Sequence, residues 1–286
     1  MTIGTGPVLC GVDFSDASRH ALEFACAFAA RLGQSIVVVS AIDPLIAEAA
    51  SASLGPAFVE RVRSDLEGFV HECVGDVGGV SLLTPAGSAA RELLNAAAAV
   101  KAGAIVVGTE GLGRARRVVF GSTTLRVMRG ADRPVLAVPP SHEGAAEAGA
   151  ISQILCGVDF SDPSRAAARE AVELGRHLNV PVTLVHAVGR LTMPSAWDVM
   201  MAPTDTERET QAKANIQTLA ASFGPPEPRT LAIIAEPAEL IAQEAGAGTL
   251  VVLGLGDLSG HRPGSTAMRI MAGTHLPVLG IPNRNL

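Results

Sequence analysis

The chain has 286 residues, 48% of them hydrophobic and 17% charged, which is enough apolar material for packed cores and too little charge for a disordered chain. Lys and Arg total 22 against 28 Asp and Glu. The net charge of -6 disfavours partners held by general attraction to a polyanion, so no nucleic acid is expected. Aromatic residues make up 3%, with no tyrosine, which leaves no stacking platform for single strands.

Short runs rich in Val, Ile and Leu alternate with longer segments of helical character, the pattern of β/α units around a parallel sheet. Strands are predicted near 8–12, 35–41, 80–84, 103–108 and 134–138, and helices near 17–32, 58–74, 88–101 and 122–130. Ser15 or Asp16 can cap the first helix. Its apolar positions Ala21, Leu22, Ala25, Phe28, Ala29 and Leu32 recur at spacings of three and four and should face the sheet.

The pattern then repeats. Residues 8–16 read Val-Leu-Cys-Gly-Val-Asp-Phe-Ser-Asp and residues 154–162 read Ile-Leu-Cys-Gly-Val-Asp-Phe-Ser-Asp, an offset of 146. The end of each copy also matches, residues 133–139 against 276–282 at an offset of 143, so three residues are lost in between. The expected fold class is α/β, with two tandem domains, each a Rossmann-like five-stranded parallel sheet sandwiched by about four helices. The domains are placed at 1–142 and 151–286, with a small, polar linker at 143–150.

Cys10, Cys26, Cys73 and Cys156 show neither metal-ligand spacing nor the density of a disulfide scaffold, which fits a reducing compartment. Cys10 and Cys156 occupy equivalent strand positions, where burial is expected. No stretch approaches 18 apolar residues and no signal segment opens the chain. The expectation is a cytoplasmic protein with no membrane partner and no metal ligands.

In parallel sheets ligands bind beyond the carboxyl ends of the strands, where the winding reverses. Asp13, residues 41–43 and the loop from Gly108 lie at such ends. That loop runs as glycine, two residues, glycine, nine residues, then Gly121 and Ser122, between a buried strand and a helix. Glycine lets backbone N–H groups approach a ligand, and a helix start presents unpaired donors to an anion such as phosphate. The hydroxyls of Ser122 and Thr123 add donors. Residues 111–133 carry six arginines (114, 116, 117, 126, 129 and 133) against one acid, Asp132. Neither the P-loop nor the dinucleotide fingerprint is present.

These residues resemble the universal stress protein family in its tandem form, over nearly the whole chain. The Gly-x2-Gly-x9-Gly-Ser spacing of Gly108, Gly111, Gly121 and Ser122 matches the family's ATP-binding motif. The resemblance implies a fold like that of the adenine nucleotide alpha hydrolases and bound ATP, with Mg²⁺. It places Asp13 and Ala41 on the adenine side of the nucleotide and Ser122 and Thr123 at the phosphates. It also implies a regulatory stress-response module in which the two halves pair through their last strands, with a homodimer as a further assembly. A slow ATP hydrolase and a non-nucleotide interaction scaffold are the competing readings; no adjacent nucleophile and base can be written from spacing.

The second copy keeps Asp159, Ala187, Gly254, Gly264 and Ser265 at the matching places. It carries Asp257 where the motif has its second glycine, and only six residues before Gly264. A carboxylate beside the phosphate path is repulsive, so nucleotide binding is the weaker expectation there. His186, in an apolar strand without a second ligand-type residue at spacing, reads as packing or hydrogen bonding. The apolar stretch 191–201 is a candidate cover for the pocket, a partner contact or local core.

Overall fold

The computed structural model describes residues 3, 5–54, 56–75, 79–109, 121–140, 149–190, 204–256, 266–273 and 275–283. The first half contains β1 (Val8–Gly11), α1 (Asp16–Leu32), β2 (Ile36–Val39), α2 (Pro44–Leu54), α3 (Pro56–Val74), β3 (Val80–Leu83), α4 (Ala89–Ala99), β4 (Ala104–Gly108), α5 (Ser122–Gly130) and β5 (Val135–Val138). The second contains β6 (Gln153–Gly157), α6 (Asp162–Leu178), β7 (Val182–Val188), α7 (Asp205–Ala221), β8 (Arg229–Ile234), α8 (Pro237–Glu244), β9 (Thr249–Leu255), α9 (Thr266–Gly273) and β10 (Val278–Pro282).

All ten strands form one sheet in the order β3-β2-β1-β4-β5-β10-β9-β6-β7-β8. Pairing is parallel within each half, and each half has the order 3-2-1-4-5 by its own strand count. The winding therefore reverses between β1 and β4, and again between β6 and β9. The halves meet through their last strands. There β5 and β10 run antiparallel, with Leu279 opposite Leu136 and Val278 opposite Ala137. Both strands are apolar edges in isolation, and pairing them removes two aggregation-prone edges at once.

Side chains alternate across the sheet, and each face has its own core. Val8, Cys10 and Val12 join the buried residues of α1, α3, α6 and α7, whereas Leu9 joins those of α4, α5, α8 and α9. The α1 stripe behaves as its spacing predicts: Ala21, Leu22, Ala25 and Phe28 are wholly buried. Burying Leu22 and Phe28 contributes about 1.5–3 kcal/mol each.

Ser15 is the N-cap of α1 and accepts from the Ser18 amide at 3.2 Å; Ser161 caps α6 in the same way at 3.4 Å. The helices end on left-handed residues, Gly33 (φ 64°) and Asn179 (φ 54°). Asn tolerates that region through its short polar side chain, so the second copy needs no glycine there.

One helix departs from the expected four in the first half. The segment after β2 forms α2, with Pro44 as its first residue. Its residues Leu45 and Ile46 are 76% and 57% exposed, so no buried stripe announces it. Alanine-rich composition and a proline at the first position, rather than amphipathic periodicity, make it helical.

Candidate functional site

The carboxyl end of β1 leads into a tight turn. Phe14 takes φ 63°, a left-handed conformation costly for a bulky residue, and Phe160 takes φ 64° at the matching place. Phe69 meets the Phe14 ring edge-on at 5.2 Å and holds it there. The turn fixes Asp13. Its Oδ1 accepts from the Ser15 amide at 3.1 Å and from the Ser15 hydroxyl, and its own amide donates to Ser18 Oγ at 3.3 Å. Asp13 thus shapes the start of α1 through Oδ1, and Oδ2 takes neither Ser15 donor.

Ala41 follows β2. The amides on either side of it donate toward the β3 side, Ser40 to the Leu83 carbonyl at 3.0 Å and Ile42 to the Pro85 carbonyl at 2.8 Å. Alternation along an extended chain turns the main-chain groups of Ala41 the other way, past the end of β1.

Gly108 ends β4 against the first turn of α1. A Cβ built there would stand 3.1 Å from the Ala17 carbonyl oxygen and 3.2 Å from its carbon. The Gly108 carbonyl accepts from Thr124 Oγ1 of α5 at 2.7 Å. The sequence reading gave this glycine to phosphate approach; the structure adds a packing reason for it. Gly121 is the N-cap of α5, its amide donating to the Thr109 carbonyl at 2.8 Å, and it has no side chain to cap the helix. The amides of Ser122 and Thr123 therefore open the helix without a side-chain acceptor from the cap, and Ser122 is exposed. Gly111, Arg114, Arg116 and Arg117 lie outside the described residues.

Arg133 belongs elsewhere. Its guanidinium donates to the carbonyls of Ala97 and Ala102 at 2.6 and 3.1 Å and pairs with Asp132 at 2.7 Å. It closes the loop after α4, so the basic cluster read from residues 111–133 loses one member.

In the second half, Asp159 repeats the Asp13 turn: Oδ1 accepts from the Ser161 amide at 3.0 Å and from its hydroxyl, and the Asp159 amide donates to Ser164 Oγ at 3.3 Å. Partial burial pushes the Asp159 carboxyl up, but the hydroxyls of Ser161 and Ser164 and the Ser161 amide more than offset this and hold it below its ordinary value. Gly254 is more crowded than Gly108. A Cβ there would stand 2.4–2.7 Å from the backbone of Pro163 and Ser164. Between these strand ends lies a cavity of about 180 Å³, lined by Asp159, Ser164, His186, Ala187 and Gly254 with an apolar wall that includes Leu240, Ile241 and Ile270. Gly264 and Ser265 lie outside the described residues, as does the stretch 191–201.

The thiols take no part in either crevice. Cys10 and Cys156 are wholly buried, and burial pushes both far above the ordinary thiol range. Cys26 is pushed up to about 11 by burial. Cys73 is raised by burial despite the Arg19 guanidinium 3.3 Å from its sulfur. Among the described residues no group of three or more His, Cys, Asp or Glu is placed to hold a metal ion.

The universal stress protein family model matches this chain twice, over residues 5–139 and 151–282. The chain belongs to the universal stress protein family. It is similar to a universal stress protein of Mycolicibacterium smegmatis, 26% identical over 97% of each chain. In structure it resembles a universal stress protein from Archaeoglobus fulgidus, with TM-score 0.66 and 16% identity over 99% of this chain and 98% of that one. A functionally unknown protein from Pseudomonas aeruginosa matches with TM-score 0.62 and 13% identity over 99% and 95% of the two chains.

Within this family fold, the sequence reading brought Asp13, Ala41, Gly108 and Gly121 to one end of the sheet, where the structure also has them. It took His186 for packing or hydrogen bonding, and the structure has both: Nδ1 lies 2.6 Å from the Val158 carbonyl and the ring meets Phe160 at 4.7 Å between centroids.

Proposed function

We propose that the first half binds ATP, with Mg²⁺, at the carboxyl ends of β1, β2 and β4, and that the protein is a cytoplasmic regulatory module whose surface or stability responds to the nucleotide. The observation that carries this reading is the bare start of α5. Gly121, the N-cap, offers no side chain to the first amides of that helix, at the end of a loop with Gly-x2-Gly-x9-Gly-Ser spacing. The Thr124–Gly108 bond and the contact of Gly108 with Ala17 tie that helix start to the turn bearing Asp13. An adenine amine or ribose hydroxyl donates to Asp13 Oδ2, the main chain of Ala41 reads the base edge, and the amides and hydroxyls of Ser122 and Thr123 take the phosphates. The strained turns at Phe14 and Phe160 support the reading, since such conformations persist where surrounding structure enforces them, frequently beside ligands.

Thermal unfolding with and without ATP and Mg²⁺ tests it. Ligand at 100 times its dissociation constant stabilises the fold by about 2.7 kcal/mol. Asp13→Ala and Gly121→Val should remove that stabilisation, and a wild-type melting curve indifferent to ATP would sink the proposal.

A further inference from the structure

The cavity at the ends of β6, β7 and β9 joins an apolar interior to a charged rim. Val185, Leu240, Ile241, Leu253, Ala267 and Ile270 line it, and each is buried. Asp159 also lines it but is exposed, so its carboxylate stands at the mouth. Among the described lining residues it is the one carboxylate, and none is Lys or Arg. Both Ser161 donors fall on Oδ1, and neither reaches Oδ2. Hydrogen bonding from Ser161 and Ser164 holds the group below its ordinary value, so the rim is anionic at neutral pH.

The cationic side chains on the flanking helices are engaged elsewhere. Arg165 of α6 donates to the Phe160 carbonyl at 3.0 Å and lies over the Phe160 ring, and Arg269 of α9 pairs with Glu236 at 3.0 Å. The amino-acid sequence points to the same sign. Between β4 and α5 the chain carries Arg114, Arg116 and Arg117 against Glu110, whereas between β9 and α9 it carries Arg262 against Asp257. The excess of positive charge in the first copy is gone from the second.

Charge separates the ligands such a cavity can take. An anion meets a carboxylate and no compensating cation among the described lining residues. A neutral apolar molecule fills the interior but takes water from the carboxylate and returns nothing for it. A cation with an apolar body satisfies both ends. Volume then sets the body: about 180 Å³ exceeds the roughly 150 Å³ of an apolar cavity that takes up benzene, so one phenyl ring fits.

We propose that the second half binds a small primary amine in its ammonium form, its phenyl-sized apolar body between Leu240, Ile241 and Ile270 and its ammonium donating to the Asp159 carboxylate. The ligand is opposite in charge to the one proposed for the first half, so the duplicated crevices would answer to different molecules. The site stands on its own cavity and does not depend on ATP binding in the first half.

Titration of the full chain with 2-phenylethylamine, followed by methyl NMR, tests this. The methyl resonances of Leu240, Ile241 and Ile270 should move saturably. The neutral analogue 2-phenylethanol and the anionic analogue 3-phenylpropionate should each bind about tenfold more weakly or worse. Asp159→Asn should bring the amine down to the level of the alcohol. Because that variant could disturb the cap of α6, ionic strength gives a second readout on the unaltered protein: raising it tenfold should weaken the amine several-fold. Unmoved methyl resonances, alcohol or propionate binding as tightly as the amine, an amine affinity indifferent to Asp159→Asn or to salt, or adenosine held on the same methyls more tightly than the amine overturns the proposal. Failure of the first-half reading would appear separately, as a melting curve indifferent to ATP.

Discussion

The hydroxyl of Thr124 donates to the carbonyl of Gly108 at 2.7 Å and fastens the first turn of α5 to the end of β4. Thr124 is 3% exposed, so the carbonyl has little access to water if that donor is lost. Thr124→Val keeps the shape and removes the bond. It should cost about 1–2 kcal/mol of stability, read as a lower urea midpoint. If the first half binds ATP as proposed, it should also weaken that binding, because the amides of Ser122 and Thr123 sit in the same turn.

The glycines ending β4 and β9 should differ in tolerance. Gly254→Ala forces a Cβ to within 2.4–2.7 Å of rigid backbone at Pro163 and Ser164, whereas Gly108→Ala meets Ala17 at 3.1–3.2 Å. Overpacking of this kind costs about 1–3 kcal/mol, and Gly254→Ala should lie at the upper end and Gly108→Ala at the lower. Chemical denaturation of both variants measures the order, and a reversed order would contradict the close approach described for Gly254.

Arg31 joins the halves away from the sheet. From the last turn of α1 it donates to the Ile151 carbonyl at 2.8 Å and to the Leu178 carbonyl, at the end of α6, at 3.1 Å. Arg31→Ala should cost about 1 kcal/mol, since the arginine itself is exposed. Hydrogen exchange should rise at amides near the α6 terminus while the β5–β10 amides stay protected.

Asp159 should shape the acid limb of stability. Its folded carboxyl lies below its ordinary 3.8, so its contribution is fully present above that value and is lost as pH falls through the lower folded value. Asp159→Asn should show a shallower loss of stability than the parent below about pH 4, measured by thermal melts across an acid series.

Much of this architecture is written locally. The repeat at residues 8–16 and 154–162, the Val- and Ile-rich strands, the Ser15 cap and the α1 stripe each depend on neighbours in the chain, and all are legible without coordinates. The helix α2 escaped because its periodicity is weak and Leu45 and Ile46 face outward. The position of Asp13, Ala41 and Gly108 at strand ends was legible from the strand pattern. Arg133 was counted with the basic segment because proximity in sequence to a phosphate-type loop says nothing of the carbonyls waiting at Ala97 and Ala102.

The amino-acid order thus settled the duplicated α/β units and the chemistry available at each strand end, because periodicity, capping and turn preferences act over a few residues. Only the tertiary structure decided that β5 and β10 join the halves antiparallel into one sheet, that Gly254 is hemmed in by Pro163, and that His186 meets the Val158 carbonyl and the Phe160 ring. Those relations bring together residues far apart in the chain, and the free energy that selects them comes from burial and hydrogen bonding across the assembled sheet rather than from any local stretch.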